Sequence, residues 1–207
     1  MGDPLGLIIG IGNPGARYAR TRHNVGIWFV EKLAGESGGV FKEEKKFNGR
    51  VCTIDFHGRE LKLLIPTTYM NASGKSVGSL VNFYKIPHQK ILIAHDELDL
   101  ATGIIRFKQG GGLAGHKGLR DISRCLGGSQ EFNRLRIGVG HPGVKEAVTG
   151  HVLGIVTPDD KAMVDKCIDN ALVVLPLAVE GEWQQAMNQL HKPLPSPGSK
   201  PPKDGEP

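Results

Sequence analysis

Paired cysteines are missing from this 207-residue chain: Cys52, Cys125 and Cys167 are odd in number, far apart and without a CxxC spacing. That excludes a disulfide framework and a zinc knuckle, and leaves three idle thiols in a reducing compartment. Long apolar runs are missing too, none approaching the roughly 20 residues that span a bilayer. Residues 1–6 lack the basic start and apolar core of a secretory leader. The expectation is a soluble, cytoplasmic protein. No internal repeat is visible, which excludes solenoids and propellers.

What the chain does have is glycine, 29 residues of it, much of it in turns beside polar residues, where backbone can approach a ligand closely. It is also basic, with 26 Lys plus Arg, a net charge of +5 and no single basic tail. A polyanionic partner fits that balance, nucleic acid first, although a merely solvated surface gives the same count. The length suits one domain with a sizeable core plus at most a tail.

Residues 7–11 form a short apolar run closed by glycine and read as a buried strand. Asn24 can cap a helix reaching about residue 34, with Val25, Trp28, Phe29 and Leu33 on one face. Residues 51–56 and 60–65 flank His57-Gly58 as a hairpin that Pro66 ends. The polar turn from Thr67 to Gly74 leads into a helix over 75–84. A strand at 91–94, another at 104–107, a helix at 117–126 and a strand at 135–139 follow. Helical spacing returns from Asp159 to His191, where Pro176 is expected to kink or split the helix. The pattern predicts a single α/β domain over residues 1–191, with a mixed, mainly parallel twisted β-sheet and helices on both faces. Residues 192–207 are proline-rich and polar, a tail expected to be disordered.

Gly10-Ile11-Gly12-Asn13-Pro14-Gly15 fits the dinucleotide pattern after a strand. Pro14 stiffens the turn, His23 interrupts the helix that should follow, and Glu31, at the distance of the ribose-binding acid, falls on a helix instead of a strand end. Asn13 offers an amide for a carbonyl or a developing oxyanion, or serves simply as turn chemistry. His23 is a candidate proton acceptor. If the strands ending near Ile11, Ile65 and Ala94 are parallel, their ends bring Asn13, Asn71 and Asp96 to the edge where open α/β sheets bind ligands. Asp96 can then accept a hydrogen bond from one imidazole nitrogen of His23. Oxygen ligands gather in His95-Asp96-Glu97-Leu98-Asp99, but no second carboxylate-histidine cluster completes a metal site, and none is expected. The Gly110-Gly111-Gly112 loop, flanked by Lys108, His116 and Lys117, suits a phosphate near backbone amides but lacks the nucleotide-hydrolysing spacing. Arg134 and Arg136 are expected to part, one joining Lys108 in a patch and the other facing solvent.

Five blocks carry a resemblance: Gly12-Asn13-Pro14-Gly15 with Tyr18; Thr21-Arg22-His23-Asn24; the run from Pro66 to Lys75; His95 to Asp99; and Arg134 to Pro142. In order and over residues 7 to about 191 they resemble bacterial peptidyl-tRNA hydrolase. The resemblance implies an esterase without cofactor or metal. It would be a monomer without obligate protein partner or membrane, cleaving the bond between a nascent peptide's terminal carbonyl and the terminal ribose of tRNA on peptidyl-tRNA dropped by stalled ribosomes. It implies that His23 activates water, that Asp96 supports it, and that Asn13 and Asn71 position substrate and separate blocked from unblocked aminoacyl-tRNA. It further implies that Tyr18, Tyr69 and Met70 touch substrate and that Lys108 and Arg136 clamp the 5′ phosphate. Residues 142–154 match a mobile lid over the groove, or are a plain connecting loop. One departure stands out. The family's Gly-Gly-Gly-His-Gly-Gly-His-Asn-Gly reads here Gly110-Gly111-Gly112-Leu113-Ala114-Gly115-His116-Lys117-Gly118, with Lys117 for an asparagine and Leu113 for a histidine. A catalytically silent RNA-binding protein on the same fold is the alternative. It would be expected to lose the base or its partner, and both are present.

Overall fold

The computed structural model describes residues 2–192. The expected tail therefore lies, apart from Lys192, outside the described residues. Seven strands form one sheet: β1 (Leu7–Gly10), β2 (Lys42–Glu44), β3 (Gly49–Phe56), β4 (Arg59–Pro66), β5 (Ile91–Glu97), β6 (Ile105–Gln109) and β7 (Asn133–Gly138). Six helices cover it: α1 (Val25–Glu36), α2 (Ser73–Tyr84), α3 (Lys117–Cys125), α4 (Val148–Val152), α5 (Pro158–Val179) and α6 (Trp183–Leu190). The spatial order is β2-β3-β4-β1-β5-β7-β6. The central β4, β1, β5 and β7 are mutually parallel, and antiparallel pairings lie only towards the edges. β2 is antiparallel to β3, which is antiparallel to β4, so five of the seven strands share one direction.

The central strands are apolar on both faces because both faces are covered. Ile8, Leu63, Leu92, Ala94 and Leu135 point into a core with residues of α1, α5 and α6. Leu7, Ile9, Leu64, Ile91 and Ile93 point the other way, onto α2 and α3. From β1 the chain runs out towards one edge through α1, and from β4 it returns through α2 to β5 on the other side of β1. The reversal leaves a crevice beyond the ends of β1 and β5, where ligands bind in open sheets.

Backbone contact fixes how α1 sits on that crevice. A Cβ on Gly26, in the first turn of α1, would run into the Ala94 carbonyl of β5, and one on Gly10 would run into the Gly26 carbonyl. Without side chains there, α1 presses directly on β1 and β5, and its first turn lies beside the strand that carries Asp96. Gly26→Ala should therefore cost about 1–3 kcal/mol of stability through overpacking against main chain that cannot rotate away. A lower urea midpoint at unchanged slope is the measurement.

Of the kink or split expected at Pro176, the split is corrected. α5 runs through it, because Leu175, Ala178 and Val179 are buried and hold the last turn in the core. The missing proline N–H affects only the turn preceding it. The helix ends instead where Gly181 takes a φ of 82°. No described helix is long and apolar enough to cross a membrane.

Candidate active site

Beyond the ends of β1 and β5 lies a cavity of about 460 Å³. Asn13, His23, Tyr69, Met70, Asn71, Asp96, His116 and Lys117 line it, together with Glu97 and an apolar wall of Leu98, Val148, Val152 and Leu153. The three strand-end residues and His23 thus meet, as the parallel order requires.

His23 sits in a single-turn 3-10 helix, Arg22–Asn24, directly before α1. Its Nδ1 lies 2.8 and 2.9 Å from the two carboxylate oxygens of Asp96. A carboxylate only accepts, so Nδ1 carries the hydrogen and Nε2 keeps its lone pair. His116 approaches the same carboxylate, with Nε2 3.0 Å from Oδ1. Its Nδ1 accepts the Leu119 backbone N–H at 3.3 Å as the cap of α3, which fixes the hydrogen on Nε2. Asp96 is therefore a buried acceptor shared by two N–H donors. Burial works against its charge, but His23 and His116 outweigh that and hold the carboxyl well below the usual range.

His23, Asp96 and His116 also offer metal-type ligand atoms within 4.8 Å of one another. The cluster is completed by a histidine 20 residues beyond the aspartate, on another element, which reading along the chain did not reveal. Both facing nitrogens are committed here as donors to the carboxylate.

Asn13 is fixed at three atoms. Its Oδ1 accepts the Met70 N–H at 2.8 Å, its N–H donates to Asn24 Oδ1 at 2.9 Å, and its carbonyl accepts Asn24 Nδ2 at 2.9 Å. The amide orientation follows: the Asn13 NH₂ is the group left over for the cavity. Asn24 makes no side-chain cap on α1, contrary to expectation. Its amide is spent clamping the Asn13 backbone, a better use for a buried group that can satisfy both a donor and an acceptor at once. Asn71 reaches the cavity from the single turn Met70–Ala72 with an exposed side chain. Tyr18 stands outside the lining and packs edge-on against Tyr69, ring centroids 6.4 Å apart.

Two buried groups here were missed as site components. His95 donates Nδ1–H to the Asp96 carbonyl at 2.7 Å and packs edge-on against His116 at 5.0 Å. Burial pushes its imidazole down to about 3. Glu97 accepts Arg136 Nε at 2.8 Å, so Arg136 joins the cavity rim through a carboxylate. A charged run at the end of an otherwise apolar strand was the available signal.

The basic residues need a correction. Two positions apart on β7, Arg134 and Arg136 project to the same face, since strand side chains repeat every second residue. Lys108 lies across from Arg134, and Arg106 from Arg136. Arg134 is not solvated: it is buried, and its guanidinium donates to the carbonyls of Gly110, Gly111 and Gly112. The glycine loop thus turns its carbonyls inward to a cation. Ala114 in the same loop adopts a φ of 48°, where the family pattern has glycine. Lys117 opens α3 with an exposed side chain at the cavity. Residues 142–154 are more than a plain loop, since they contain α4, whose Val148, Thr149 and Val152 form the cavity wall.

A family model described as peptidyl-tRNA hydrolase matches residues 7–197. The chain is similar to a peptidyl-tRNA hydrolase of Alcanivorax borkumensis, 49% identical over 191 residues, 92% of this chain and 98% of that protein. It is likewise similar to one of Azotobacter vinelandii, 51% identical over 185 residues, 89% of this chain and 95% of that protein. The crystal structure of peptidyl-tRNA hydrolase from Acinetobacter baumannii superposes with a TM-score of 0.87 at 50% identity, covering 90% of this chain and 94% of the other. Full-length similarity at this level, on the same fold, means that this chain belongs to the peptidyl-tRNA hydrolase family.

Proposed function

We infer that the chain hydrolyses the ester between peptide and tRNA in peptidyl-tRNA, with His23 as the general base. The observation that carries this reading is the His23–Asp96 bond, which leaves Nε2 as the basic nitrogen of a cavity shared with Asn13 and Asn71. Nε2 takes a proton from water as the water oxygen bonds to the ester carbonyl carbon. The oxyanion that forms is met by the Asn13 amide, fixed by Met70 and Asn24, with Asn71 on the substrate beside it. Such a donor is worth roughly 10²–10³ in rate. Collapse breaks the bond to the ribose oxygen, which takes the proton back from the imidazolium, and Asp96 stabilises that cation throughout.

The peptide lies against the apolar wall of α4 and Leu98, while Tyr69, Met70 and His116 border the reacting end and Tyr18, packed on Tyr69, meets the substrate outside the cavity. Lys108 and Arg136, on the same face of the β6–β7 edge, take the 5′ phosphate. The protein works as a monomer in the cytoplasm. The direct test is hydrolysis of an N-blocked aminoacyl-tRNA: rapid cleavage is expected, with the unblocked form cleaved far more slowly. Binding without cleavage would move the chain to the silent RNA-binding alternative.

Lys117 adds a cation where relatives' pattern has an amide. Lys117→Asn should weaken tRNA binding and flatten the slope of log K against log salt by roughly 0.7–0.9, the worth of one phosphate contact. Titrating both proteins from low to moderate salt checks it, and equal slopes would count against a phosphate role.

A further inference from the structure

We propose that Arg22 is a positioning residue that fastens the peptide-side wall of the cavity to the segment presenting His23. The proposal rests on the functional reading above. The chain leaves α4 through residues 153–156 and is seized there by residues 20–22. Thr21 and Ile155 form an isolated antiparallel bridge. The Arg22 N–H donates to the Gly154 carbonyl at 3.2 Å, and the Val156 N–H to the Arg20 carbonyl at 3.0 Å. The Arg22 guanidinium completes the clasp, with Nη1 3.4 Å from the Ile155 carbonyl and Nη2 2.9 Å from Asp160 Oδ2. Its side chain is only 15% exposed.

Within α4, His151 Nε2 meets the Val139 carbonyl at 3.0 Å. The element that carries Val148, Val152 and Leu153 is thus held by His151 as well as by the Arg22 clasp, and one end of that clasp is the residue preceding the base. Arg22 makes no hydrogen bond to His23, Asp96 or Asn13. Its guanidinium therefore governs how firmly the wall meets a peptide and leaves proton transfer alone. A planar donor fork suits two acceptors on one chain, a carbonyl and a carboxylate five residues apart.

The test compares steady-state kinetics on an N-blocked aminoacyl-tRNA and on tRNA bearing a longer apolar peptide. Arg22→Ala should raise KM for the longer peptide roughly tenfold, the worth of one charge-assisted contact. kcat should hold, and the one-residue substrate should suffer less. Asp160→Ala, at a partly exposed site, should give the same signature, the double variant should be no worse than either single one, and Arg22→Lys should recover part of the loss. A fall in kcat at constant KM, equal on both substrates, would mark a general structural role and overturn the proposal, as would additive losses. An inactive wild type would overturn the functional reading and this proposal with it, whereas an active wild type matched by Arg22→Ala would overturn this proposal alone.

Discussion

Replacing His23 by alanine is expected to lower kcat on N-blocked aminoacyl-tRNA by roughly 10²–10⁴-fold, the range of a positioned general base, with tRNA binding retained. The base is the one part of the site without a stand-in. His116 has its Nε2 hydrogen turned to Asp96 and its Nδ1 occupied by Leu119, so neither of its nitrogens is available to water. Asp96→Ala should cost less, because the imidazole and its lone pair remain and only the hold on its orientation and the support for its cation are lost. Asp96 stays ionised in the folded protein, since its two imidazole partners hold its carboxyl down against the pull of burial. A kcat for His23→Ala equal to that of the wild type would assign the base elsewhere.

The second large effect falls on stability. His95 ordinarily titrates near 6.5 and in the fold near 3. Between those values the unfolded chain binds a proton that the folded chain refuses. Stability is therefore highest above about 6.5 and is lost as pH falls towards 3, at up to about 1.4 kcal/mol for each pH unit. Asp96 adds to the loss only further down: its folded carboxyl is depressed, so its contribution is complete above the ordinary aspartate value and fades below it. Urea midpoints taken from neutral to acid pH should fall steeply for the wild type. They should fall much less for His95→Gln, which keeps a donor for the Asp96 carbonyl and removes the titration. Parallel curves would mean that His95 is not the group responsible.

Much of this was legible in the residues. Apolar runs punctuated by glycine located the central strands, and their parallel order by itself brought Asn13, Asn71, Asp96 and His23 to one edge. Other features depended on partners distant in the chain. Asn24 looked like a cap because capping is what asparagine does before a helix; only the close approach of residue 12 to residue 24 shows its amide taken by Asn13. His116 reads as a loop residue until the fold lays its ring against Asp96. Arg134 looked solvated because it was set on the opposite strand face from Arg136, whereas residues two apart share a face, and three inward carbonyls of the glycine loop hold it buried. Pro176 was weighed by its local effect, and burial around it decided otherwise.

The seat of α1 on β1 and β5 is main chain against main chain, through Gly10, Gly26 and Ala94. A datum of that kind has no rotamers. Leucines and valines elsewhere in the interior can be exchanged, loosened or warmed without resetting the gap between imidazole and carboxylate, so melting temperature and catalytic geometry should vary independently across core variants that spare these three positions.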